Sequence, residues 1–299
     1  MNRLFRRAAL WLQARFNDFD PAAGSYPADL VDGPLAPILI LAPPRTGTTL
    51  LYQVLLQQLH LAFISNLVSA LPRYMVRMAG RWPGLVSRPP REIKRGHYGF
   101  VPGLLAPSEA GKVMDRWFSD PVVASSAESI RRTLSALGRI SNGPVLIKSL
   151  SLTHRLPQVG QVLPRARYIR LRRALPYTVQ SVLLGRADPS LGADRWQGVE
   201  PEGLDARKER GPIHEAALIV RAIDRRIDEH LAGCADRVIE VEYERFCSAP
   251  AETVERLARV FLLERRNPAA PLPPSFPSAN RVRVDAPTWA RIRDETDAT

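Results

Sequence analysis

The stretch ILAPPRTGTTLLYQVL, residues 40–55, constrains the fold more than any other part of the sequence. A short apolar run turns tightly at Pro43, Pro44 and Gly47 and passes at once into a helical pattern. It therefore predicts a buried β-strand followed directly by an α-helix. In such a turn the backbone amides of residues 46–49 point inward, where the helix dipole favours negative charge. We expect an anion-binding loop.

Strand and helix patterns alternate along most of the chain. Short apolar strands are expected at 37–42, 144–148, 166–173 and 237–243, with helices between them. This order predicts an α/β chain with a three-layer P-loop-like fold, in which helices flank a central parallel sheet. In that architecture the ligand binds at the carboxyl ends of the strands. The polar segment 185–212 is expected to be a mobile loop.

A single domain is expected over residues 37–299, with residues 1–36 as its lead-in. Residues 1–16 place apolar side chains at helical spacing opposite arginines, which predicts a basic amphipathic helix. Docking on the domain is its expected role, with weak attachment to a membrane surface or a targeting function as alternatives. No stretch approaches 18 uninterrupted apolar residues, so no transmembrane segment is expected. The two cysteines are too few for a disulfide framework, and a cytoplasmic location is predicted.

The net charge of +12 comes almost entirely from arginine, because only four of the 42 basic residues are lysines. Such a charge can serve nucleic acid, an anionic membrane or a small anionic ligand. The arginines are spread along the chain, and no basic tract is interleaved with aromatic residues. Nucleic acid binding is therefore not expected, and a small polyanion is the favoured partner.

Basic residues lie at or just after the ends of the predicted strands. A nucleotide hydrolase has a different arrangement at these positions. Its phosphate loop has a lysine directly after the glycine and a hydroxyl for Mg²⁺. In this chain Thr48 occupies the lysine position, and the cation, Arg45, precedes the glycine. The second and third predicted strands end at Lys148 and Arg173, so no strand-terminal aspartate is available for a metal. We expect a polyanion site without a metal.

Several segments together resemble the sulfotransferases that use 3′-phosphoadenosine 5′-phosphosulfate (PAPS). APPRTGTTLL is similar to the 5′-phosphosulfate loop of that family. RRALPYTVQS carries the arginine and, eight residues later, the serine that bind the 3′-phosphate there, Arg173 and Ser181. LPRARYIRLRR and VEYERFCSAPAETVERLARVFL are similar to two further family segments, in the family's order. HYGFVPGLLAPSEAGKVMDRWF resembles a stretch from a bacterial branch.

The resemblance implies in-line transfer of a sulfuryl group from PAPS to a hydroxyl or amine. The acceptor is a small molecule or a carbohydrate, PAPS is a co-substrate, and no metal takes part. Positioning and electrostatic stabilisation are the protein's contributions. Lys148 is implied to neutralise the leaving oxygen. The residues implied for the 5′- and 3′-phosphates are Arg45, Thr46, Gly47, Thr48, Thr49, Arg173 and Ser181.

The sequence departs from the family's pattern at the catalytic base. One branch places a histidine two residues after the strand-end lysine, whereas the first histidine after Lys148 is His154. Other branches use a glutamate soon after the phosphate loop, but residues 50–90 contain no acidic residue. His154 and Glu109 are the leading candidates, with His154 slightly preferred because its position relative to Lys148 is better constrained. Glu92 and His97 come next.

Two further parts of the site are assigned to loops. The resemblance implies a further phosphate clamp near the carboxyl terminus, and RKERG at 207–211 is the candidate. The acceptor is expected between residues 61–120 and the segment 185–212, because loops over a rigid sheet usually carry specificity.

Two functions of other classes remain as alternatives. A metal-dependent P-loop kinase or nucleotidase would need a carboxylate near Thr48 and would turn over ATP with Mg²⁺. A non-catalytic basic protein that binds nucleic acid or sulfated glycans would show steep salt dependence and no preference for PAPS.

Overall fold

The computed structural model describes residues 19–89, 91–94, 99–119, 121–188, 211–266 and 271–297. At its centre lies one parallel sheet with the strand order β2-β1-β3-β4. Each strand lies within a segment that predicted it. The strands are β1 (Ile38–Leu41), β2 (Leu146–Lys148), β3 (Arg167–Arg172) and β4 (Val238–Glu242).

Helices cover both faces of this sheet. In the part of the chain that the structure describes, the α-helices are, in chain order, α1 (Thr48–Gln58), α2 (Asn66–Ala70), α3 (Met75–Arg81), α4 (Gly84–Ser87), α5 (Gly111–Trp117), α6 (Ala124–Ser141), α7 (Leu156–Val162), α8 (Leu175–Arg186), α9 (Pro212–Ala232), α10 (Tyr243–Ser248), α11 (Pro250–Val260) and α12 (Ala286–Asp297). A 3₁₀-helix at Leu150–His154 follows β2 closely. None of the described helices is long and apolar enough to span a bilayer.

The side chains of β1 pack against helices on both faces of the sheet, which gives the fold its three layers. Ile38 and Ile40 pack with residues of α1, α10 and α11, whereas Leu39 and Leu41 pack with residues of α5, α6, α7 and α9. Successive strand side chains point to opposite faces, so each pair serves a different layer. Because both faces are covered, all four side chains are buried, and the strand has a continuous apolar sequence. The predicted three-layer α/β fold is confirmed.

A buried ion network joins the sheet to α9. Arg170 on β3 is 1% exposed, donates from Nε to Asp228 at 3.0 Å and pairs with Asp224. An arginine can occupy this buried face only when carboxylates compensate its charge. The network accounts for the fully buried arginine of β3, and it fixes α9 beside β3.

Two predicted segments fall largely outside the described residues. The amphipathic helix at 1–16 lies wholly outside them. Of the segment 185–212, only its two ends are described: α8 ends at Arg186 and α9 begins at Pro212.

Candidate active site

A cavity of about 230 Å³ opens at the carboxyl end of the sheet. The loop after β1 lines it, together with Lys148 at the end of β2, Arg173 just after β3 and Tyr243 just after β4. All four strands therefore contribute at the edge where parallel sheets bind their ligands. The structure brings together the anion-binding loop and the cations that the sequence analysis singled out.

The loop after β1 has an unusual backbone and lines the cavity. Arg45 has a φ of 70° and Gly47 a φ of 97°, both in the left-handed region. The Thr46 hydroxyl donates to the Pro43 carbonyl at 2.7 Å, which ties the turn together. Gly47 is the N-cap of α1 and offers no side chain to its first amides, and Thr48 lines the cavity. The positive end of α1 thus faces the cavity and favours an anion.

Gly47 also satisfies a steric requirement. A Cβ atom at this position would lie 2.5 Å from ring carbons of Tyr243. The positive φ independently disfavours any side chain there. The glycine of the motif is therefore required both by the turn and by the close approach of the aromatic ring.

Arg45, Arg173 and Ser181 form one connected group. Arg45 Nε donates to Ser181 Oγ at 3.0 Å, and Arg173 donates from Nη1 to the Arg45 carbonyl at 2.6 Å. The Arg173 guanidinium also lies 4.9 Å from the ring centroid of Tyr243, in a cation–π contact. Arg173 consequently supports the left-handed turn of the loop as well as facing the cavity.

The carboxyl-terminal segment supplies cavity residues that the sequence analysis missed. Ala279 and Arg283 line the cavity, and Asn280 Oδ1 accepts from Arg173 Nε at 2.8 Å. Gln180 on α8 holds this segment, since its Oε1 accepts from the Arg283 amide at 2.7 Å. The only sequence signal for Arg283 is a cation in a polar stretch, which is too common to identify a site. The predicted clamp at 207–211 lies outside the described residues except for Gly211.

Lys148 and Glu109 form an ion pair in the lining of the cavity. Lys148 is 3% exposed, its Nζ donates to Thr49 Oγ1 at 3.1 Å, and it is ion-paired with Glu109 Oε1. Burial, followed by the positive charge of Arg45, lowers the pKa of Lys148 to about 7. A lysine that titrates near neutrality beside a carboxylate can exchange a proton with its surroundings at working pH.

The segment that carries Glu109 is firmly held. The Ser108 amide donates to the Ile64 carbonyl at 2.8 Å, and Ser108 Oγ accepts from the Ala110 amide at 3.0 Å. Gly99 lies against the carboxylate from the other side, because a Cβ there would come 2.2 Å from Glu109 Oε1. The position of Glu109 is therefore determined by backbone contacts on both sides.

The other candidate bases are not part of this cavity lining. His154 ends the 3₁₀-helix after β2, and its Nδ1 lies 2.7 Å from Nη1 of Arg226 on α9. Glu92 is exposed and does not line the cavity, while His97 lies outside the described residues. Within the described ranges, no group of three or more His, Cys, Asp or Glu residues is arranged to hold a metal ion.

Comparison with known proteins identifies the family. Residues 37–266 match the sequence model of the Sulfotransferase family, which is more than half of the chain. The chain belongs to this family, as the sequence resemblance predicted. No curated protein sequence gives a significant match.

Solved structures agree with the fold. The sulfotransferase STF9 from Mycobacterium avium has a TM-score of 0.50 and 17% identity, over 89% of this chain and 69% of that one. The sulfotransferase STF1 from Mycobacterium tuberculosis H37Rv has a TM-score of 0.49 and 15% identity, over 81% of this chain and 71% of that one. At these identities the likeness to the Mycobacterium avium protein shows a shared fold.

Proposed function

We propose that the protein transfers a sulfuryl group from PAPS to an acceptor hydroxyl or amine. The observation that carries this proposal is the cavity itself, in which an amide-lined loop and several cations face a carboxylate–lysine pair. The cations that line it are Arg45, Lys148, Arg173 and Arg283. Fixed donors aimed at developing negative charge are the largest single source of catalysis in group transfer of this kind.

The cationic groups suit a donor with separate phosphates. Arg45 and the amides at the start of α1 hold the 5′-phosphate, where the helix dipole adds to their charge. Arg173, Ser181 and Arg283 hold the 3′-phosphate, a group that ATP lacks. PAPS supplies an activated sulfuryl group with a phosphate as its leaving group.

Glu109 is the group that we propose as the general base. It accepts the proton of the acceptor hydroxyl while the acceptor oxygen bonds to sulfur and the bond from sulfur to the 5′-phosphate oxygen breaks. Lys148, in contact with both Glu109 and Thr49, places its ammonium where it neutralises the leaving oxygen. His154 is not part of the cavity lining, so the structure favours Glu109 over the histidine that spacing alone preferred.

Ligand preference tests the proposed donor. Adenosine 3′,5′-bisphosphate, the desulfated product, should stabilise the protein without Mg²⁺ by about 2.7 kcal/mol at ~100 times its dissociation constant. ATP and AMP lack the 3′-phosphate and should stabilise it less at equal concentration. A thermal-shift titration measures the difference. Equal stabilisation by ATP would contradict the proposal, and a steep salt dependence without preference would favour a non-catalytic polyanion binder.

Binding of the bisphosphate should also take up protons near neutral pH. The pKa of Lys148 is about 7 in the free protein, and a phosphate beside Nζ favours the ammonium and raises that pKa. Uptake should occur between about pH 7 and the higher pKa of the complex, and affinity should fall as pH rises through this window. Calorimetry in buffers of different ionisation enthalpy counts the protons.

The control for this measurement is another lysine. Lys148→Met should abolish the uptake, whereas Lys94→Met should retain it because Lys94 is exposed and does not line the cavity. An unchanged proton count in Lys148→Met would show that Lys148 does not meet the phosphate.

A further inference from the structure

A chain segment with exposed apolar side chains leaves the cavity at Gly99. Gly99 lines the cavity beside Glu109, and the next residue, Phe100, is 44% exposed. Leu104 and Leu105 follow on the same segment at 46% and 51% exposure. We call Phe100, Leu104 and Leu105 the apolar lip. It follows Gly99 in the chain, and Gly99 lies beside the proposed base, Glu109.

The lip is exposed although its backbone is held in place. Asn66 on α2 donates from Nδ2 to the carbonyls of Val101 and Gly103, each at 2.8 Å. The Leu67 amide donates to the Leu104 carbonyl at 2.9 Å, and Val101 is 1% exposed. Exposure of leucine side chains on a fixed segment is unfavourable in water, and contiguous apolar exposure commonly marks a binding surface.

The cavity and the lip, which follows it in the chain, are two halves with different polarity. The loop side carries Arg45, Arg173 and Arg283, which suit phosphates. The lip presents hydrocarbon instead, and its leucines offer no hydrogen bonds to the hydroxyls of a sugar. An acceptor that fits both halves has one hydroxyl for Glu109 and an apolar remainder for the lip.

We infer that the acceptor is an alcohol with an apolar body, which rests on Phe100, Leu104 and Leu105 while its hydroxyl reaches Glu109. The inference rests on the proposed sulfuryl transfer and decides between its two acceptor classes. It selects an apolar small molecule over a carbohydrate. The lip follows Gly99 in the chain, and Gly99 lines the cavity beside Glu109.

Straight-chain primary alcohols from ethanol to octanol test the inference by binding alone. With adenosine 3′,5′-bisphosphate saturating, the dissociation constant of the alcohol should fall with each added methylene that reaches the lip. Full burial of a methylene corresponds to about fourfold, so a half-exposed lip should give ~twofold per methylene. Calorimetry or competition against a phenol measures the series, and transfer to the same alcohols should show the same trend in kcat/KM.

Matched variants locate the effect. Leu104→Ser combined with Leu105→Ser should flatten the chain-length dependence and leave bisphosphate affinity unchanged. Leu262→Ser is the control, because Leu262 is 89% exposed and lies after α11, outside the segment that leaves the cavity at Gly99. A double variant with the wild-type dependence, or a wild type with none, would overturn the inference. Bisphosphate affinity in the same experiment reports on the proposed function separately.

Discussion

Glu109→Gln is expected to lower sulfuryl transfer by about 10²- to 10⁴-fold, which is the usual contribution of a general base. Glutamine keeps the shape of the side chain but cannot accept the proton of the acceptor. Affinity for adenosine 3′,5′-bisphosphate should stay nearly unchanged, because Glu109 is not among the residues proposed to hold either phosphate. The loss should therefore appear in kcat and kcat/KM alike.

The measurement compares turnover of a promiscuous phenol acceptor across three variants. Glu92→Gln removes an exposed carboxylate outside the cavity and should behave like wild type. His154→Ala should retain most activity, since its imidazole contacts Arg226 and does not line the cavity. Retention of more than about a tenth of wild-type turnover by Glu109→Gln would exclude it as the base. A collapse in His154→Ala instead would return the assignment to the histidine.

Spacing along the sequence favoured His154 as the base, whereas the structure favours Glu109. His154 is six residues beyond Lys148, so sequence proximity suggests a shared cleft. The chain turns through a 3₁₀-helix between them, which leaves Leu150 in the cavity lining and directs the histidine to α9. Glu109 is 39 positions from Lys148, and the pair forms only through tertiary packing. No local pattern encodes such a contact.

Local patterns predicted the parts of the molecule that local physics determines. Strand β1 is a continuous apolar run because both of its faces are covered, and the glycine-containing turn after it leads directly into α1. Arg173 and Ser181 were named by the family resemblance through their eight-residue spacing, and α8, with Pro176 tolerated in its first turn, carries the serine. These features need only neighbouring residues to be recognised.

The carboxyl-terminal part of the site could be recognised only in the folded structure. Arg283 reaches the cavity because Gln180 binds its backbone amide from 103 positions away. The Ala279 amide likewise donates to the hydroxyl of Tyr243 at 3.0 Å, 36 positions away. An extended segment without periodicity carries no signal of its own. Its place in the site comes from side chains on α8 and α10.

Arg173→Ala should weaken binding of both adenosine 3′,5′-bisphosphate and AMP, and the bisphosphate more strongly. The resemblance alone implies a role at the 3′-phosphate, which AMP lacks. The structure adds a second role, because Arg173 donates to the carbonyl of Arg45, whose left-handed backbone is part of the loop proposed for the 5′-phosphate. Loss of charge-assisted hydrogen bonds of this kind costs roughly 1.5 to 3 kcal/mol, or about 10- to 150-fold in affinity.

Ser181→Ala separates the two roles, and calorimetric titration of each variant with both ligands measures them. Ser181 is proposed to bind the 3′-phosphate, which AMP lacks, so its loss should cost the bisphosphate about 1 kcal/mol. AMP should lose less, because the hydrogen bond from Arg45 to Ser181 positions only one of the groups proposed for the 5′-phosphate. Arg281→Ala is the matched arginine control, since Arg281 is exposed and does not line the cavity. If Arg173→Ala spared AMP, its bond to the loop would be dispensable. If Ser181→Ala weakened both ligands equally, the serine would belong to the loop and the 3′-phosphate would lie elsewhere.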